Sequence, residues 1–291
     1  MIKTTEIPVD YDWHPLTEGD IRHFDEKGYL ILRDVLEPSM IERVAAAAER
    51  LIASDLQVNR IASAGARNDG FRNCVAMDED FIPLLTYPKT LSAVVQLLGA
   101  HIQLMTSHII YKHPDPPSER VSPKTSGWHR DYGAAGKVFG NHVPRIMLKC
   151  AFYLTELTEP NSGATLVVPG SNQSTDAVKV PEGAFGPPGY VEPKLRAGDC
   201  ILFENRVVHA SGPNLTDRTR KAVMFGYGYR WIMPIDFRQQ DSPLLEKLDV
   251  AGRYLVGERY PPRVDYTPGG GDSPLAPWCE RHGAPAVRPY G

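Results

Sequence analysis

Apolar residues recur at helical spacing through the first hundred positions. Beyond them they fall in short runs broken by glycine, proline and asparagine. Thr17-Glu18-Gly19-Asp20 resembles a capping box, and Gly28 stops the helix it opens. Gly28-Tyr29-Leu30-Ile31-Leu32 then reads as a short apolar strand. Ser39 and Glu42 repeat the capping pattern, ahead of a stripe formed by Val44, Ala48, Leu51 and Ile52. A third helix is expected from Pro88 to Gly99, with Val94, Val95, Leu97 and Leu98 as packing residues. Strands are expected at Gln103–Tyr111, Arg145–Leu154, Ala164–Val168, Cys200–Phe203 and Ala222–Tyr227. Short strands with such breaks predict a sandwich or barrel. Thr267–Gly271 reads as a loop, and the stretch from there to Gly291 as a tail that packs late or stays mobile. Neither end carries enough patterned sequence for a core of its own, so one domain over 1–291 is expected.

Composition narrows the class. Hydrophobic residues make up 42% and charged residues 23% of the 291, which fits a globular chain and excludes collagen, coiled coil and extensive disorder. The 32 basic and 35 acidic side chains leave a net charge of -3 and no basic surplus for nucleic acid. No apolar run approaches the ~20 residues of a membrane helix. Met1–Glu6 does not read as a secretory signal. The four cysteines (Cys74, Cys150, Cys200, Cys279) are scattered without a C-x-x-C pair, so a reduced, cytoplasmic protein is expected.

The sharpest local feature is Trp128-His129-Arg130-Asp131. On extended chain His129 and Asp131 point to one face and can reach one ion. Among nine histidines, His209 is the best third ligand: it follows an apolar strand and precedes the turn Ser211-Gly212-Pro213-Asn214. Two imidazoles and a carboxylate leave three octahedral positions open, the ligand set of non-haem Fe(II) oxygenases. Zinc enzymes also use this set, so ligand type alone leaves the metal open. A single His-x-Asp is most often a surface pair, and the rest of the pattern outweighs that reading. Arg220, eleven residues past His209, begins the next strand and could grip a carboxylate with two parallel hydrogen bonds. Arg218 competes for that role, although its place in the turn points it to solvent.

In this order the motifs resemble the phytanoyl-CoA dioxygenase family of Fe(II)/2-oxoglutarate oxygenases. Phe24–Leu32 resembles the family's opening helix and strand, and Trp128–Asp131 its W-H-x-D motif. Asn161-Ser162-Gly163-Ala164 and Val168-Pro169-Gly170-Ser171 resemble its central strand and turn, and Gly198 to Arg220 its distal ligand and clamp. One departure is Asn172, where the family commonly has histidine. The resemblance implies a mainly β fold with flanking α-helices, a double-stranded β-helix or jelly roll of the cupin-like kind. Its parts would be a helical portion at about 1–100, a core at about 101–235 and an extension at 236–291. It further implies Fe(II) on His129, Asp131 and His209, and the C5 carboxylate of 2-oxoglutarate on Arg220, helped by Ser211 and Lys112.

The implied reaction consumes O2 and 2-oxoglutarate, releases succinate and CO2, and hydroxylates an unactivated C–H bond. Desaturation, epoxidation or cyclisation are alternative outcomes of the same chemistry. Asp131 argues against halogenation, because related halogenases carry alanine or glycine there to admit chloride. Tyr132 and Lys137, after the iron motif, and Tyr227, Tyr229 and Trp231, after the clamp, are candidate substrate contacts. The three aromatics are equally well read as barrel core. The expected substrate is a small molecule, a specialised metabolite in preference to an acyl-CoA, with neither nucleic acid nor membrane as partner. A cupin-like metal enzyme that needs no 2-oxoglutarate is the competing class.

Overall fold

The structure, a computed structural model, describes residues 9–62, 67–120, 127–131, 133–140, 142–258 and 273–288. Tyr132 and the Thr267–Gly271 loop lie outside these. In chain order the elements are α1 (Glu18–Lys27), β1 (Tyr29–Leu32), α2 (Pro38–Ile52), β2 (Arg60–Ala62), β3 (Asn68–Arg72), α3 (Ile82–Leu85), α4 (Pro88–Leu98) and β4 (Ile102–Lys112). There follow α5 (Pro117–Arg120), α6 (Gly133–Phe139), β5 (Met147–Tyr153), β6 (Thr165–Val168), β7 (Cys200–Glu204), β8 (Val208–Ser211) and β9 (Arg220–Tyr229). The short helices α7 (Ser242–Glu246), α8 (Val250–Leu255) and α9 (Ala276–Arg281) close the chain.

These elements gather into two compact units. One holds the described residues of 18–72 and 109–224, the other those of 9–17, 73–108 and 225–288, so the boundary falls within β4 and β9. The first unit carries every residue proposed for metal and co-substrate. Its strands belong to a seven-stranded sheet of order β1-β7-β5-β9-β4-β3-β2 and a two-stranded sheet of β6 and β8. β1 and β5 flank β7 antiparallel, with Ile31 opposite Ile201 and Ala151 opposite Ile201 on the other side. Alternation sends Ala151, Tyr153, Ile201, Phe203, Ala222 and Met224 to one buried face, where they meet Ala164 and Val167 near the small sheet. That sheet is wider than two strands, because single bridges add His129 beside β8 and Val191 beside β6. The W-H-x-D segment is therefore stitched to the edge of β8.

The second unit contains α4, whose residues are almost all buried, and α9, which buries Trp278 and Cys279. Trp278 Nε1 donates to the Tyr11 carbonyl at 3.1 Å. Of the two readings of the tail, packing holds over 273–284, where tryptophan and leucine supply buried apolar area. The Ser39 capping box is also corrected: α2 starts at Pro38 after Glu37, and Ser39 lies inside its first turn. Proline fixes the first helical position and overrides the serine signal. The β2–β3 hairpin escaped the sequence pattern, since its strands carry Arg60, Asn68 and Asp69. Arg60 and Asp69 instead hold it by an ion pair at 2.7 Å. All four cysteines are buried free thiols. Among the described residues no single helix is long and apolar enough to cross a membrane.

Candidate metal centre

Main-chain hydrogen bonds bring the three proposed ligands together. His129 N–H donates to the His209 carbonyl and His209 N–H to the His129 carbonyl, both at 3.0 Å. Asp131 N–H donates to the Asn205 carbonyl at 2.8 Å. Arg130, between the ligands, points away and donates to the carbonyls of Arg206, Asp176, Ser171 and Ser174. Trp128 is pinned through Nε1 to the Phe185 carbonyl. Its ring lies so close to Gly186 that a Cβ there would come within 2.5 Å of it, so only glycine fits.

The ligand atoms of His129, Asp131 and His209 all lie within 4.8 Å of one another. His129 Nε2 is 3.6 Å from Asp131 Oδ1, and His209 Nε2 is 3.4 Å from Asp131 Oδ2. Each Nδ1 faces a carbonyl, Gly127 O at 2.9 Å and Val207 O at 3.0 Å. A carbonyl only accepts, so each Nδ1 carries the proton and each Nε2 presents a lone pair. Two lone pairs and a carboxylate converge on one small space, a donor set suited to a cation. The residues present therefore fit a divalent metal.

Electrostatics agree. Burial pushes the His209 imidazole down to about 4, against the pull of Asp131, so it is neutral at pH 7 and free to ligate. His129 is half-exposed, and the neighbouring Asp131 carboxylate raises it, against burial. Burial would raise the Asp131 carboxyl, but the Lys149 ammonium at 2.6 Å and the adjoining imidazoles outweigh it and hold it well below the usual range.

Arg220 is buried at the start of β9, and burial lowers its pKa. Its Nε has no hydrogen-bond partner among the described residues, and its Nη2 reaches Ser211 Oγ only at 3.5 Å. Lys112, also buried, lies on the adjoining strand, with its charge held down by burial and by Arg220 despite Asp115 at 3.9 Å. Both side chains crowd Gly163: a Cβ there would stand 3.3 Å from Arg220 Cβ and 3.4 Å from Lys112 Cδ. Its φ of +87° is in addition one that glycine alone adopts without strain. Arg218 is exposed and paired with Glu159. Lys137 is exposed on α6. Tyr227 belongs to the second unit's core, where its hydroxyl donates to the Leu85 carbonyl at 2.8 Å. Tyr229 stacks on Trp231, which is 65% exposed in that same unit. Asn172 donates to the Asp25 carbonyl and to Glu204 Oε1, a bracing role.

Lys149 was missed by sequence reasoning. A lysine inside the apolar strand Met147-Leu148-Lys149-Cys150-Ala151-Phe152, on the face of Ala151 and Tyr153, was the available signal.

The family model described as phytanoyl-CoA dioxygenase (PhyH) matches residues 24–222. The chain belongs to the phytanoyl-CoA dioxygenase family. Membership assigns the enzyme class, non-haem iron 2-oxoglutarate-dependent dioxygenase, with Fe(II), 2-oxoglutarate and O2 as its cofactor set. A relative, the dioxygenase trt7 of Aspergillus terreus, is 27% identical over 80% of this chain and 81% of its own. The epimerase SnoN, solved with Fe3+, alpha ketoglutarate and nogalamycin RO, is 24% identical with a TM-score of 0.58, over 85% of this chain and 96% of its own. HygX of Streptomyces hygroscopicus, solved with nickel, 2-oxoglutarate and hygromycin B, is 18% identical with a TM-score of 0.61, over 79% of this chain and 94% of its own. These likenesses bear out the jelly-roll fold with flanking helices.

Proposed function

We propose that this family member oxidises, by hydroxylation, an unactivated C–H bond of a small specialised metabolite. His129, Asp131 and His209 hold the metal, and Arg220 receives the distal carboxylate of 2-oxoglutarate with Ser211 and Lys112 beside it. The observation that carries the reading is a buried guanidinium with no counter-ion among the described residues, its Nη2 3.5 Å from the hydroxyl of Ser211 on the strand of His209. Ser211 follows His209 by two residues on β8, so both side chains share a face about 7 Å apart. That spacing suits a five-carbon diacid chelated at one end and gripped at the other. It also favours the 2-oxoglutarate class over a cupin-like enzyme without a keto acid, for which a buried unpaired arginine has no use.

When bound, iron with 2-oxoglutarate supplies the oxidant for C–H cleavage, with succinate and CO2 as co-products. The chain's own residues do the rest. The two Nδ1–H···O=C bonds orient the imidazoles. Arg220 fixes the co-substrate's angle. Half-exposed His129 marks the open side by which a substrate approaches. The small-metabolite preference draws on what SnoN and HygX were solved with, nogalamycin RO and hygromycin B.

The test is succinate release by Fe(II)-loaded protein across a panel of natural-product scaffolds, with products read for one added oxygen atom. Asp131→Ala should lose both metal and turnover. Full turnover by that variant at normal iron content overturns the ligand assignment.

A further inference from the structure

A carboxylate ligand can bind a metal through one oxygen or both. With both, one of the three positions needed by a chelating keto acid and O2 is consumed. Something must therefore hold the second oxygen. Lys149 Nζ lies 2.6 Å from Asp131 Oδ2, and the two side chains are each 15% exposed. The lysine stands opposite Phe203 in the β5–β7 register. Its ammonium lies 5.7 Å from the centre of the Phe203 ring. That ring in turn packs at 4.8 Å on the imidazole of His209. One aromatic side chain thus braces both the lysine and a proposed ligand.

We propose that Lys149 is a positioning residue for Asp131: its ammonium takes Oδ2 and confines the carboxylate to one-oxygen ligation, keeping the third position open. The proposal rests on the ligand assignment above. It has a physical rival of opposite sign. An ammonium beside a dication is repulsive, and a lysine that merely filled the place of an absent ion would weaken metal binding.

Metal titration separates the two without relying on turnover. Oxygen-free protein is titrated with Co(II), whose visible absorption reports both occupancy and coordination geometry. Lys149→Met keeps the stem against Phe203 and removes the charge. It should weaken Co(II) binding by about 10–100-fold, the loss typical of outer-shell partners, and should alter the spectrum. Lys149→Arg, which restores a cationic donor, should recover most of the affinity. Far-UV circular dichroism identifies any misfolded variant, and Lys149→Gln, which retains a neutral donor, then serves in its place with an intermediate loss expected. Equal or tighter binding by Lys149→Met with an unchanged spectrum overturns the proposal. If Asp131→Ala loses Co(II) while Lys149→Met does not, only the lysine's role falls. If the wild-type protein fails to bind Co(II), both readings fall.

Discussion

Replacing Arg220 by methionine separates a residue kept for stability from one kept for binding. In the structure its guanidinium is buried, its Nε is unpartnered among the described residues, and its one polar contact, to Ser211, is long. A buried group left in this state costs about 1–3 kcal/mol, and more when charged. Arg220→Met should therefore leave the ligand-free protein as stable as wild type, or more stable by about 1–3 kcal/mol. The carboxylate grip it loses is charge-assisted and two-pronged, worth about 3 kcal/mol, or about two decades of affinity. At a 2-oxoglutarate concentration of about 100 times the wild-type dissociation constant, the ligand stabilises wild type by about 2.7 kcal/mol. The variant, with a dissociation constant about 100-fold higher, gains only about 0.4 kcal/mol. The assay is urea unfolding of Mn(II)-loaded protein, with and without 2-oxoglutarate. A variant that loses several kcal/mol without ligand, or keeps the full ligand-induced gain, refutes the reasoning.

Two further outcomes follow from buried charge. For His209, the unfolded imidazole takes a proton near pH 6.5 and the folded one only near 4, so its contribution to stability is complete above 6.5 and drains away between 6.5 and 4. The difference is about 3 kcal/mol. The raised His129 acts with the opposite sign, so the metal-free protein should be compared with His209→Gln by unfolding across that range, and a gap that does not narrow as pH falls would count against the buried neutral imidazole. Glu204, fully buried, holds Arg145 at 3.1 Å and Arg206 at 2.8 Å. Glu204→Gln should cost about 3 kcal/mol by uncovering those cations, and a loss under about 0.5 kcal/mol in urea titration would show that water already screens them.

The cluster of His129, Asp131 and His209, proposed to hold the metal, was legible in the chain because its pattern is local. A His-x-Asp on extended chain, a histidine before a turn and an arginine opening the next strand need no knowledge of what lies across the sheet. Lys149 was not legible in the same way. Its role depends on the pairing of β5 with β7 and on where Asp131 ends up, which are long-range facts. The apolar runs from Gln103–Tyr111 to Ala222–Tyr227 each overlap a strand of the structure, although Arg145–Leu154 and Ala164–Val168 overshoot β5 and β6 by a residue or two. The β2–β3 hairpin was silent because its polar residues hide the period of two. Tyr227 shows the other limit: alternation marked its face, but only the acceptor at Leu85 distinguishes a core hydroxyl from a substrate contact.

The reciprocal N–H···O=C pair between His129 and His209, and the tie from Asp131 to Asn205, belong to the polypeptide rather than to any ion. In minimal zinc domains the ion and the native state come and go together. Here the cradle is already knitted from peptide groups, so on the proposed assignment ferrous ion stripped by chelation can be replenished in place, as one refills a socket.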